Sequence, residues 1–350
     1  MTQHREPVAP AELVVDLDAL AANIATIRAR VAPAEPMLVV KDDAYAHGLV
    51  PIVTRAWREG VRWIGALDVT TGTQVREALG DEARIFAWML AGADDIADAI
   101  AARLDCGVGS EPLLDEIAAA AGDEPVAVHL KIDTGLHRNG VRPERWQAFV
   151  AQAHEYELAG RIRVAGIWSH IAEASDDDDD VSRDVFDTAV AAARAAGLRP
   201  QKLHLAASAA AFARPEFRYD MVRIGAFAYG IRSTDGPADA DLGITPIATL
   251  HAGVRHVSAD AVVIDAGWNA VPSTAANQVA IQTPAGPRAV NRIGSDLIVC
   301  EPWPAVPGDR LALFGGSALE SATDIAERIG TIGEEIVLRI SPEIPRRYLP

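Results

Sequence analysis

Between Pro36 and Ile231, short apolar β-branched runs alternate with alanine-rich amphipathic stretches, and this alternation limits the fold more than any other feature of the chain. Strands are predicted near Met37–Lys41, Trp63–Leu67, Ile85–Trp88, Asp105–Val108, Val126–Ile132, Val164–Ser169, Lys202–Ala206 and Met221–Gly225. Helical patterns fill the gaps, among them Asp18–Val31, Leu49–Glu59, Thr70–Leu79 and Val181–Ala196. An eight-fold strand and helix alternation within about two hundred residues predicts an α/β chain built on a TIM-type (β/α)8 barrel rather than an open sheet.

The texture changes after Ile231. Residues 233–241 are rich in Pro, Gly and Asp, and beyond them come short alternating strands without long helices. The expected division is a barrel over 12–235 and a smaller, mostly β domain over 236–350. The early run 12–17 precedes the first helix and is a candidate extra strand for the second domain.

Composition excludes several classes of function. A net charge of −17 repels phosphodiester backbones and anionic lipid, so neither nucleic acid nor membrane is an expected partner. No apolar run reaches membrane-spanning length, and Met1–Pro10 is polar without a signal core, so a soluble, cytoplasmic protein is expected. Cys106 and Cys300 have neither metal-type nor disulfide-type spacing and read as core thiols. The five consecutive aspartates Asp176–Asp180 read as a solvated, self-repelling loop; no spaced glycine or terminal Glu supports an ion cage, and no metal is expected.

Of 32 basic residues only Lys41, Lys131 and Lys202 are lysine. Arginine keeps its proton, whereas a lysine amine can lose it and attack a carbonyl carbon. Each surviving lysine is therefore a candidate nucleophile, weighed against chance survival in an arginine-biased chain. Lys41 stands out because Leu38-Val39-Val40-Lys41 delivers its amine to the carboxyl end of a barrel strand, where such folds place their chemistry. Burial there is expected to lower its pKa.

The segment Val39-Val40-Lys41-Asp42-Asp43-Ala44-Tyr45-Ala46-His47-Gly48 resembles the signature of the alanine racemase family, with Asp43 for the usual Asn and Ala46 for the usual Gly. The resemblance implies that Lys41 holds pyridoxal 5'-phosphate covalently and serves as a proton-transfer base, and that Tyr45 contacts the phosphate. Lys131-Ile132-Asp133-Thr134-Gly135-Leu136-His137-Arg138-Asn139-Gly140 is similar to a second family segment. It implies that Arg138 lies near the cofactor's phenolic oxygen and the substrate carboxylate, with Lys131 positioning it. A guanidinium suits a carboxylate because it donates two parallel hydrogen bonds.

Gly166-Ile167-Trp168-Ser169-His170 and His204-Leu205-Ala206-Ala207-Ser208 resemble segments around the ring and phosphate. They make His170 the ring-packing histidine and Ser208 a phosphate ligand, with Ala207 in place of the usual Asn. Val222-Arg223-Ile224-Gly225-Ala226 resembles the Val-Arg-Pro-Gly segment, which implies that Arg223 faces the pyridine nitrogen and that the amides of Gly225 and Ala226 meet the phosphate. Tyr348, in a closing segment similar to the family's, is a further implied phosphate contact. The resemblance runs from about Glu12 to Tyr348 and implies an amino-acid substrate and a homodimer.

One family feature is absent. The second catalytic base is a tyrosine in a Gly-Tyr-Gly segment early in the β domain, and the tyrosines here are Tyr45, Tyr156, Tyr219, Tyr229 and Tyr348. Val254-Arg255-His256-Val257 runs almost directly into Val262–Asn269, a stretch shortened by a hairpin, and Gly294-Ser295 replaces the methionine segment. Three readings follow: an alanine racemase in which His256 or an ordered water replaces the phenol, a diverged one-base enzyme acting on another amino acid, or a non-catalytic cofactor-binding or regulatory protein.

Overall fold

The computed structural model describes residues 10–173 and 175–350; the polar stretch ahead of Pro10, read above as lacking a signal core, lies outside them. The chain forms two compact units. One contains Ile27–Lys41 and Ala56–Gly225; the other contains Asp42–Arg55, Ala226–Pro350 and the described residues up to Thr26.

The strands in chain order are β1 (Glu12–Asp16), β2 (Glu35–Val39), β3 (Trp63–Asp68), β4 (Arg84–Met89), β5 (Asp105–Val108), β6 (Val126–Lys131), β7 (Ile162–Trp168), β8 (Lys202–His204) and β9 (Met221–Ile224). They continue with β10 (Ala248–Val257), β11 (Val262–Ile264), β12 (Ala280–Thr283), β13 (Gly286–Ile293), β14 (Ile298–Cys300), β15 (Arg310–Gly315) and β16 (Arg346–Leu349).

In the first unit β2 to β9 form one parallel sheet in the order β8-β7-β6-β5-β4-β3-β2-β9. Hydrogen bonds from Asp220 N–H to Leu203 O and from Arg223 N–H to Ala206 O bring its two ends together, so the sheet is a nearly closed barrel. Each expected strand is present. Met37, Trp63, Phe86, Trp168 and Met221 fill the barrel interior as one buried cluster. Aromatic side chains there bury large areas and leave a packed core rather than a pore.

The other unit is built on a second sheet, ordered β12-β13-β14-β11-β10-β1-β16, with β15 also on β10. β1 pairs antiparallel with β10 and parallel with β16, so the first strand of the chain joins the carboxyl-terminal β structure. No helix of the described residues is long and apolar enough to cross a membrane.

Two local expectations are corrected. Asp176–Asp179 form the first turn of a helix, Asp176–Ala195, rather than a loop. Negative charge is favourable at a helix amino terminus, where unpaired N–H groups face outward. Ser175 caps Asp178 N–H at 3.2 Å, and Arg214 pairs with Asp176 and Asp180. The first barrel strand also ends at Val39, short of Lys41.

Candidate functional site

Val40 N–H donates to Gly65 O at 2.9 Å, pinning the end of the first barrel strand, and Lys41 follows, half-buried. The backbone then does something rare. Asp42, Asp43, Ala44, Tyr45 and Ala46 all have φ between 54° and 62°, a left-handed turn without a glycine. Each such residue costs about 1–2 kcal/mol, so the turn persists only because its surroundings dictate it.

The restraints are visible within the unit that contains this turn. The Asp43 carboxylate accepts from Leu49 N–H at 2.8 Å, Gly48 N–H donates to Asp43 O at 3.0 Å, and Arg346 Nε donates to Ala46 O at 3.1 Å. The buried Tyr45 ring packs on Tyr229 with centroids 4.7 Å apart, and His47 packs on the same ring at 5.1 Å. Burial, reinforced by Glu334 and Asp42, pushes the Tyr45 phenol well above its usual range, so it acts as a neutral donor. Gly48 has φ +92°, and its bare Cα leaves the space that the Tyr348 hydroxyl fills. Tyr45 and Tyr348 are thus gathered around one turn.

The barrel unit gathers the remaining candidates except Ala226. Lys131 is buried, unusually for a lysine, with its ammonium 4.3 Å from the Trp168 ring centroid. Burial and the charges of Arg223 and Arg138 pull its pKa down to about 8. The loop after β6 is pinned by Asp133, whose carboxylate accepts from Gly135 N–H at 3.1 Å and from His137 N–H at 3.0 Å. Arg138 stands exposed on that loop. An exposed guanidinium on a pinned loop is suited to bind a carboxylate.

Arg223 is buried on β9, and its Nη2 donates to Ser169 O at 2.8 Å and Leu205 O at 3.0 Å while Nη1 donates to His204 O at 3.0 Å. The same guanidinium meets His170 Nδ1 at 3.2 Å and His204 Nδ1 at 3.3 Å. Burial lowers the Arg223 pKa to about 10, which still leaves it charged at neutral pH. His170 is driven down to about 3 by burial and then by Arg223, Arg138, Lys131 and Lys41, and is therefore neutral. Gly225 N–H donates to Ser208 Oγ at 3.1 Å, placing an amide and a hydroxyl side by side. Ala207 starts the helix Ser208–Ala213 without a side-chain cap, the local consequence of lacking Asn there.

Four cations of the barrel unit, Lys41, Lys131, Arg138 and Arg223, therefore act on one neutral imidazole. That set fits a small anion-bearing group such as a phosphorylated aldehyde, which needs one amine able to bond to carbon and several donors for oxygen. Trp168 Nε1, buried and without an acceptor among the described residues, adds an unspent donor. Motif reading did not single out His129, His204, Trp168 or Tyr229 as functional. His129 lies within the expected strand Val126–Ile132, on β6, and His204 at the end of β8.

The profile of the alanine racemase N-terminal domain matches residues 15–233. The chain belongs to the alanine racemase family. Alanine racemase of Thermobifida fusca is 35% identical over an alignment covering 97% of this chain and 98% of that protein. Alanine racemase of Beutenbergia cavernae is 34% identical over the same shares of the two chains. Among solved structures, alanine racemase from D-cycloserine-producing Streptomyces lavendulae superposes with a TM-score of 0.92 at 31% identity, covering 99% of this chain and 98% of that one. The enzyme of Bartonella henselae, whose structure carries covalently bound pyridoxal phosphate, shares the fold with a TM-score of 0.84 at 19% identity. The alanine racemase family is one of pyridoxal-phosphate-dependent isomerases.

Proposed function

We propose that this chain is a pyridoxal-phosphate-dependent amino-acid racemase that interconverts L- and D-alanine. The observation that carries the reading is the likeness to alanine racemases over nearly the whole chain, joined to a barrel unit that sets Arg223 against His170 at 3.2 Å and Lys131 against Trp168 at 4.3 Å. Bound there, pyridoxal phosphate would supply the electron sink that makes an α-carbon proton removable.

The residues then divide the work. Lys41 is the covalent anchor and the base that removes and returns a proton on one face. Arg138 binds the substrate carboxylate, and Lys131, through its charge, keeps that loop electropositive. Arg223 is the partner of the ring nitrogen; as a fixed cation it disfavours protonating that nitrogen and so restrains deeper carbanion chemistry. His170 packs against the ring. Tyr45, Ser208, Tyr348 and the amides of Gly225 and Ala226 are the phosphate ligands. The proposed assignment of domains is 12–235 for cofactor binding and 236–350 for the β domain, in a cytoplasmic homodimer.

The absence of tyrosine between Gly230 and Arg347 favours a second reading, a one-base enzyme of the same site. Absorption spectra of the purified, cofactor-loaded protein with and without borohydride, joined to L- to D-alanine turnover in wild type and Lys41→Ala, separate the two. A cofactor band lost in Lys41→Ala with D-alanine formed by wild type supports the racemase. The same band without D-alanine overturns racemisation in favour of the one-base or non-catalytic reading, and no band at all overturns the cofactor assignment.

A further inference from the structure

A line of hydrogen bonds runs through the barrel interior from Arg223 to the amino end of the sheet. Arg223 Nη1 lies 3.3 Å from His204 Nδ1, His204 Nε2 lies 2.8 Å from His129 Nδ1, and His129 Nε2 lies 3.2 Å from an Asp105 carboxylate oxygen. That same oxygen accepts from Arg84 Nη2 at 2.8 Å. His129 and His204 are fully buried, and Asp105 and Arg223 nearly so.

The proton positions along this line follow from its ends. An arginine has only donors, so His204 Nδ1 must accept and its Nε2 must carry the hydrogen. His129 Nδ1 then accepts in turn, and the hydrogen on its Nε2 points to Asp105, whose carboxylate accepts. This order of donors and acceptors assigns each ring a single tautomer, with the hydrogen on Nε2. Burial opposes ionisation of Asp105, but the bond from His129 and the charge of Arg84 keep its pKa below the usual value. Burial, with the charge of Arg223 beside it, keeps His204 well below its own.

Packing holds the rings as firmly as the hydrogen bonds do. Trp168 stacks on His204 with an interplanar angle of 5°, Phe86 meets His129 at 4.8 Å, and Trp63 meets it edge-on at 5.8 Å. Gly166 sits where any β-carbon would strike the His129 ring. In such a dry interior each bond is electrostatically strong, and leaving one unmade is costly.

We propose that Asp105, acting through His129 and His204, is a positioning residue that fixes the acceptor presented to Arg223 and so orients the guanidinium assigned above to the cofactor ring. The proposal rests on that assignment only for its catalytic consequence; the relay itself is a property of the unliganded chain.

Nitrogen-15 NMR of the imidazoles in cofactor-free protein tests it first. Wild type is expected to show His129 and His204 each as one tautomer protonated on Nε2. A His204 protonated on Nδ1 overturns the relay without any substitution being made. In Asp105→Asn the side-chain amide can donate as well as accept, and His204, which does not touch residue 105, is expected to become a mixture of tautomers. A His204 signal unchanged in a folded Asp105→Asn protein overturns transmission along the line.

In the loaded enzyme Asp105→Asn should lower kcat by about tenfold, the scale of one charge-assisted hydrogen bond, with KM for alanine little changed. An unchanged kcat beside an altered His204 tautomer overturns the catalytic consequence alone. Failure of cofactor binding in wild type would instead count against the proposed function.

Discussion

The hydroxyl of Tyr348 occupies the space that a β-carbon on Gly48 would need, which ties the last strand of the chain to the turn that carries Tyr45. At φ +92° that position also strains any residue with a side chain. Gly48→Ala should therefore displace the Tyr348 ring and destabilise the fold by about 1–3 kcal/mol. Urea denaturation measures the loss, and a cofactor titration compared with Tyr348→Phe tests the phosphate role of that phenol. A Gly48→Ala protein with wild-type stability would contradict the packing described.

Lys131 links stability to pH. Its pKa falls from an ordinary 10.5 to about 8 in the folded chain, first through burial and then through Arg223 and Arg138. Between those values the unfolded chain binds the extra proton, so stability contributed at this position rises with pH and is largest above the unfolded value. Lys131→Met removes the linkage. Denaturation midpoints of wild type and variant, followed from pH 7 to 11, should converge or cross as pH rises, and parallel curves would refute the shift.

The helix Ser208–Ala213 starts from Ala207 with no side-chain cap, and Glu173 already satisfies Ala210 N–H at 3.2 Å. Ala207→Asn offers an acceptor to Ala209 N–H and should raise stability by about 1 kcal/mol. The same change supplies the side chain usual at this place in the family, so cofactor affinity should rise with it. Thermal melts with and without pyridoxal phosphate report both effects; a melting temperature that stays level or drops would rule out an uncapped helix start.

Much of the architecture was legible because burial on both faces of a parallel strand writes a continuous apolar run, and the intervening helices write their own period. The strand Asp105–Val108, short and interrupted by Gly107, was found on that basis alone. The aspartate run was misread as a loop because five like charges repel in isolation. Their place at a helix amino terminus, facing Arg214, was needed to make them favourable. Lys131 illustrates the reverse: its type predicts exposure, and only the barrel shows it buried against Trp168.

By itself the sequence determined the strand and helix order, a lysine just past the first barrel strand, the family segments and the lack of a tyrosine from 231 to 347, since these depend on residue type, period and spacing along one chain. Tertiary structure alone decided the left-handed turn from Asp42 to Ala46 and the line from Asp105 to Arg223. The turn runs against local backbone preference and needs contacts from Arg346 and Tyr229 to hold it. The line joins β5, β6, β8 and β9, and only closure of the sheet, which brings β8 beside β9, sets its donors against its acceptors.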